Sequence, residues 1–241
     1  MSLERRWIVV HDMQDVLRVD LPPRAITEPS TVQSESTSEL LEVMSSYREA
    51  WDRNTLTPQL VDATWQEFWG VPSEAALTVP ACNRSQDELA ALREQNRGVL
   101  LLPDEIMTQE GPDFLLQRFP EIGKSVLRKN KNTHTGGGCI DVEMDREEPN
   151  LLAGEVNGAG LNYRIRIQDK QGQRLQTYIV ASQFNKLLTG HYFDEEHRVT
   201  LPGSIAGSAS FMNVKRESTG KLLVGEGHRI GNGYRTEGRK A

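Results

Sequence analysis

Three carboxylates, Asp141, Glu143 and Asp145, alternate with Ile140, Val142 and Met144 in a run that starts at Cys139. Alternation is the period of a β-strand, so the acids share one face and the apolar residues the other. Beyond a turn signal at Glu148-Pro149-Asn150 comes Glu155-Val156-Asn157. Carboxylates offered by neighbouring strands suit Mg²⁺, which takes hard oxygen ligands and keeps several waters. A Mg²⁺ held by Asp141, Glu143 and Glu155 would activate water and steady the charge of a phosphodiester displacement, with Asp141 and Glu155 as the catalytic pair. The plainer alternative is a solvated strand face that pairs across a sheet with Arg164 and Arg166.

The pattern resembles the restriction-endonuclease-type nuclease core, an Asp followed on a second strand by Glu-x-Lys. Asp141 and Glu155 match the two acids, while Asn157 stands at the lysine position and supplies no positive charge. The resemblance covers only residues 141–157, and what it implies is a metal-dependent nuclease.

Other chemistry-bearing residues carry less. Gly123-Lys124-Ser125 ends like a phosphate-binding loop, but Arg118 stands where the first glycine is needed and Pro120 interrupts the loop. The glycines at 225, 227, 231 and 233 have no following helix to receive a pyrophosphate. No two of His11, His134, His191, His197 and His228 have metal-ligand spacing with a cysteine. Cys139 follows three glycines and could act as a nucleophile beside His134, although a half-buried thiol at the start of a strand explains it equally well. His11-Asp12 after the first strand could be a catalytic pair at a strand end, although a surface histidine is the plainer reading. With Cys82 and Cys139 the only cysteines, no disulfide framework exists, and both are expected to be reduced thiols in different halves of the protein.

Charge divides the chain. Residues 1–123 carry 10 basic and 21 acidic side chains, residues 124–241 carry 18 and 13, and the total is −6. Two stretches of the second half are locally basic: Lys124, Arg128, Lys129 and Lys131, and then Lys215, Arg216, Arg235, Arg239 and Lys240 with a few others. Such asymmetry points to a polyanion such as nucleic acid. Against it stand a sequence pI near 5.5 and the alternative that the two halves simply attract each other.

The elements that must position these residues follow from period and punctuation. Residues 7–10 and 16–19 read as short strands, and the Pro-, Ser- and Thr-rich stretch 21–38 as a linker or long loop open to protease. Leu40, Val43, Met44, Tyr47 and Trp51 recur at helical steps. Thr57-Pro58 opens a second helix that carries Val61, Trp65, Phe68 and Trp69 and closes at Gly70. This aromatic stripe suits a helical core more than a binding groove. Ser85 and Glu88 form a capping box for a third helix, ended by Gly98. Residues 99–102 read as a buried strand and 112–119 as a short helix. After residue 138 the period switches to two: 139–145, 163–168 and 175–180 read as strands, the last two forming a hairpin about Gly172. A short helix near 182–189 follows, and 210–214 pairs with 221–224.

The expected architecture is α+β, with a mainly helical, acidic region at 1–123 and a mainly antiparallel β, basic region at 124–241. No apolar run is long enough to span a membrane, and the N-terminus carries no secretory pattern, so a cytoplasmic location is expected. Three classes of function remain: a nucleic-acid-associated protein, a Mg²⁺-dependent phosphodiesterase or nuclease, and a non-catalytic assembly or adaptor protein working through a protein partner or self-association.

Overall fold

A computed structural model describes residues 31–70, 77–108, 111–122, 130–144, 150–151, 158–195, 197–206, 210–227 and 233–238. The fold is α+β. Its helices fall mostly in the first half, and two sheets, largely antiparallel, occupy the C-terminal part. The expected strands at 7–10 and 16–19 lie outside the described residues.

Helix α1 (Thr31–Asp52) buries Met44, Tyr47 and Trp51 along one stripe. It starts inside the stretch expected to be a linker, so residues 31–38 are helical, while 21–30 lie outside the described residues. Helix α2 (Pro58–Gly70) is capped by Thr57, whose hydroxyl accepts the Leu60 amide at 3.2 Å. Helix α3 (Gln86–Glu94) starts at the capping box in which Ser85 and Glu88 satisfy each other's amides. It gives way at Asn96, which takes a left-handed φ of 54°. Gly98 does not end the helix. It lies within strand β1 (Arg97–Leu102), where a Cβ would meet the Met144 side chain at 2.7 Å.

Strand β1 is an edge strand whose outward carbonyls need partners. Helix α2 supplies them: Trp65 Nε1 donates to Val99 O at 3.0 Å and Trp69 Nε1 to Leu101 O at 2.8 Å. The aromatic stripe is therefore core, with Trp65 stacked on Phe184 at 4.5 Å.

Helix α4 (Gly111–Arg118) precedes β2 (Asn130–Asn132), β3 (Gly138–Glu143) and β4 (Asn150–Leu151). Next come α5 (Gly158–Ile167), β5 (Lys170–Gly172) and α6 (Leu175–Thr189). Strands β6 (Val199–Ala206), β7 (Ser210–Arg216), β8 (Leu222–Gly227), β9 (Gly233–Tyr234) and β10 (Thr236–Gly238) complete the chain. One sheet has the order β1-β3-β10-β5. The other runs β4-β9-β6-β7-β8, with β2 also paired to β6. Only a short backbone step separates β9 and β10, yet they belong to different sheets, and Arg235 is the crossing residue. The sheets also touch where β5 meets β6: a Cβ on Gly203 would sit 2.2 Å from Gly172 O.

Two expected strands are helices instead. Residues 163–167 belong to α5, where Leu161 and Ile165, four apart, bury against Tyr234 while Tyr163 faces solvent. Arg164 and Arg166 therefore form no strand face opposite the carboxylates. Residues 175–180 are the first turns of α6. That helix buries twelve of its fifteen residues, among them Leu175, Tyr178, Ile179, Val180 and Phe184, and Gly190 ends it with φ 91°. A helix enclosed on every side shows no 3.6-residue stripe, and its β-branched and aromatic residues mimic a strand. The hairpin at Gly172 survives only as the short strand β5, and the helix expected near 182–189 is the second half of α6.

One apolar cluster draws on α1, α2, β1, β3, α6 and β6–β8, so residues from both halves of the sequence share it. Among the described residues no helix is long and apolar enough to cross a membrane.

Candidate functional site

At the start of α6 the helix presents unpaired amides and the positive end of its dipole, a place that favours a carboxylate. Glu237, on β10, fills it and is fully buried. Its Oε2 accepts the Arg174 amide at 3.2 Å, and its Oε1 accepts Arg174 Nε at 2.7 Å. The adjacent Leu175 amide goes to Ser204 Oγ at 2.8 Å. Arg174, also buried, turns Nη1 onto Gly136 O at 2.6 Å, which ties the glycine-rich 136–138 turn to the helix.

The third member is His134, in the turn between β2 and β3. Its Nε2 stands 2.5 Å from Glu237 Oε1, and its Nδ1 lies 3.0 Å from Thr133 Oγ1. Its side chain keeps 21% of its exposure, whereas Glu237 and Arg174 keep almost none. Nε2 faces the carboxylate and Nδ1 the Thr133 hydroxyl, so both ring nitrogens have a partner. A carboxylate that orients an imidazole in this way is an arrangement for proton transfer. Lys131 is exposed on β2, three residues earlier in the same segment. Nothing in the local sequence marks Glu237 as the partner of His134, because the contact spans over a hundred residues.

The carboxylates singled out by alternation are placed differently. Strand β3 runs antiparallel to β1, with Val99 opposite Asp141 and Arg97 opposite Glu143. Arg97 is buried, and its Nε donates to Asp141 Oδ2 at 2.6 Å while its Nη1 lies 3.5 Å from Glu143 Oε1. Arg84 approaches Asp141 at 3.8 Å, and Thr236 Oγ1 donates to Glu143 Oε1 at 3.0 Å. The acidic face is thus turned inward onto a guanidinium rather than solvated. Glu155 lies outside the described residues, and among the described ones no three His, Cys, Asp or Glu side chains converge as metal ligands. Because Arg97 and Arg84 together already balance the two acids, millimolar Mg²⁺ or Mn²⁺ is expected to leave the melting temperature unchanged. A rise that Asp141→Asn removes would instead place a cation there.

Of the basic residues, Lys131 is exposed and Lys215 half-buried, while Arg216 and Arg235 are internal. Arg235 forms a bidentate pair with Asp194 at 2.7 and 2.9 Å. Arg216 lies over the Tyr192 ring at 4.8 Å and donates to Gly220 O. Burial pulls its pKa down, against the pull of Tyr178, Tyr192 and Glu121. Neither arginine presents charge to a phosphate backbone, which corrects their place in the expected basic face. A 3.6-residue or two-residue period cannot reveal this, since their partners are distant in sequence. Lys124, Arg128, Lys129, Arg239 and Lys240 lie outside the described residues.

Cys139 and His134 are not joined as nucleophile and base. The sulfur contacts Cys82, Asn83 and Arg84, while the imidazole is held by Thr133 and Glu237. A cleft of about 360 Å³ opens between α1, α3 and α6, lined by Arg48, Trp51, Arg93, Asn96 and Asn185 among others. It lies on the helical side and holds none of the residues above.

No protein-family model, curated protein or solved structure matches this chain.

Proposed function

We propose that the chain is a nucleic-acid-associated protein that meets a phosphate backbone through the basic run at 124–131. The observation that carries this reading is the position of Lys131, exposed on β2 at the end of a run of four cations with no acid among them. The burial of Arg216 and Arg235 narrows the contact to this run and to Lys215, Arg239 and Lys240. Phosphate contacts release condensed counterions, so the affinity must fall steeply as salt rises.

A second reading rests on His134. Three residues along the chain from Lys131, an imidazole oriented by Glu237 suits proton transfer at a phosphodiester, with the lysine balancing phosphate charge. This reading replaces the expected Mg²⁺-dependent pair Asp141 and Glu155 with a cleavage that needs no divalent ion.

Fluorescence anisotropy with labelled single-stranded RNA and duplex DNA, using the full chain, tests the first reading. At about 50 mM salt binding is expected, and removing Lys129 and Lys131 together should weaken it and flatten the salt slope by about two units. Absence of binding at that salt would favour the assembly or adaptor protein. The same RNA incubated with the protein in EDTA tests the second: cleavage lost in His134→Ala supports it, and intact RNA removes it.

A further inference from the structure

The irregular segment ahead of α3 is pinned on both sides. The Cys82 amide donates to Asp62 Oδ1 on α2 at 2.6 Å, and the Arg84 guanidinium reaches Asp141 on β3 at 3.8 Å. Between these anchors the half-buried Cys82 thiol and the buried Cys139 thiol of β3 lie side by side, close enough to share a proton. The Asn83 backbone amide and the Arg84 guanidinium stand beside the Cys139 sulfur as well. Residues far apart in sequence, and expected to lie apart in the protein, therefore meet in one small crook.

We propose that Cys82 and Cys139 form a peroxide-oxidisable dithiol that closes to a reversible intramolecular disulfide.

Three features of the crook favour this chemistry. The nucleophile in thiol oxidation is the thiolate, and hydrogen-bond donors with a nearby cation stabilise it. Cys139 receives all of them: the Cys82 thiol, then the Asn83 amide and Arg84, outweigh its burial and lower its pKa to about 7. Cys82 is pushed the other way, chiefly by the Cys139 sulfur and then by burial, and so keeps the shared proton. One sulfur is thus poised to attack and the other waits beside it, the arrangement of an attacking and a resolving cysteine.

The steps balance with hydrogen peroxide as oxidant. The Cys139 thiolate attacks one peroxide oxygen, the O–O bond breaks, and the departing hydroxide takes a proton and leaves as water. Cys139 becomes a sulfenic acid. The Cys82 sulfur then attacks the Cys139 sulfur, the S–O bond breaks, and the hydroxide leaves with the Cys82 proton as a second water. Each sulfur gives up one electron, and the two peroxide oxygens take up both. The cross-link would bolt the segment ahead of α3 to β3 and close a long loop of chain. Such a closure restricts the unfolded state, so oxidation should raise the melting temperature.

The test uses the full-length reduced protein and hydrogen peroxide. After treatment and denaturation, titratable thiols should fall from two to none, and the intact mass should drop by two hydrogen atoms. The chain should stay monomeric on a non-reducing gel, and a peptide map should link Cys82 to Cys139. Dithiothreitol should restore both thiols. In Cys82→Ser, dimedone should trap Cys139 as its sulfenic acid. The wild-type measurements decide the matter even if that variant does not fold. Two thiols still titrating after peroxide, oxygen atoms gained without a cross-link, or a cross-link found only between chains would each overturn the proposal.

Discussion

Asp194→Ala is expected to destabilise the protein by about 3–5 kcal/mol, because it strips the counter-ion from a buried arginine. Arg235 is the residue at which the chain leaves the six-stranded sheet through β9 and enters the four-stranded sheet as β10. Its amide donates to Thr200 O and its carbonyl accepts from Gln173, so its backbone is held from both sides. The guanidinium cannot swing out to water. It packs over Phe193 at 4.2 Å and is matched by both oxygens of Asp194. Burial alone would lower its pKa, but the Asp194 charge more than offsets this and holds it above the usual range. Removing the carboxylate leaves a full charge facing an aromatic ring, with only the weaker pull of Tyr178 and Glu143 to offset its burial. The double variant Asp194→Ala with Arg235→Met should recover much of the loss, since a buried pair replaced by apolar groups of similar volume is often close to neutral. Urea unfolding curves of the unaltered protein and the two variants measure this. A single-variant loss below about 1 kcal/mol, the worth of an exposed pair, would mean that water reaches the site.

The sequence is legible where one face of an element is apolar and the other is not. Met44, Tyr47 and Trp51 fall on a helical stripe, Ile140 and Val142 on a strand face, and Ser85 with Glu88 at a helix start, and each is found there. Periodicity fails for α6 because Tyr178, Ile179, Val180 and Ala181 are all buried in succession. It fails for α5 because Tyr163, Ile165 and Ile167 alternate by chance, while the spacing of Leu161 and Ile165 is the one that buries. The candidate site was the least legible part. His134, Arg174 and Glu237 come from three distant segments, and Arg97 meets Asp141 only because β1 pairs with β3. Charge counted along the chain also misleads, because Arg97, Arg174, Arg216 and Arg235 are interior residues. A carboxylate count cannot tell a metal ligand from the partner of a buried guanidinium, as Asp141 and Glu143 illustrate. The two thiols are the same case: nothing near Cys82 says that β3 will bring Cys139 to it.

The other large effect belongs to Trp65, which joins three elements at once. Its side chain is fully buried, stacks on Phe184 of α6 with the rings 14° from parallel, and meets Phe68 edge-on at 4.9 Å. Its indole N–H also satisfies the Val99 carbonyl on the outer edge of β1. Trp65→Ala should therefore cost about 3–5 kcal/mol, the range for emptying a large aromatic site whose surroundings relax only in part. Trp65→Phe separates the two contributions. It keeps a ring against Phe184 but leaves the Val99 carbonyl without its donor, which costs about 1–3 kcal/mol when a buried acceptor goes unsatisfied. Amide exchange locates the damage. Because Trp69 still holds Leu101, the phenylalanine variant should speed exchange at the Val99 end of β1 more than at the Leu102 end. Chemical denaturation gives the energies. If Trp65→Phe loses as much as Trp65→Ala, the stacking on Phe184 contributes little and the indole hydrogen bond alone fastens α2 to the sheet; equal protection along β1 in both variants would mean that α2 does not guard that edge.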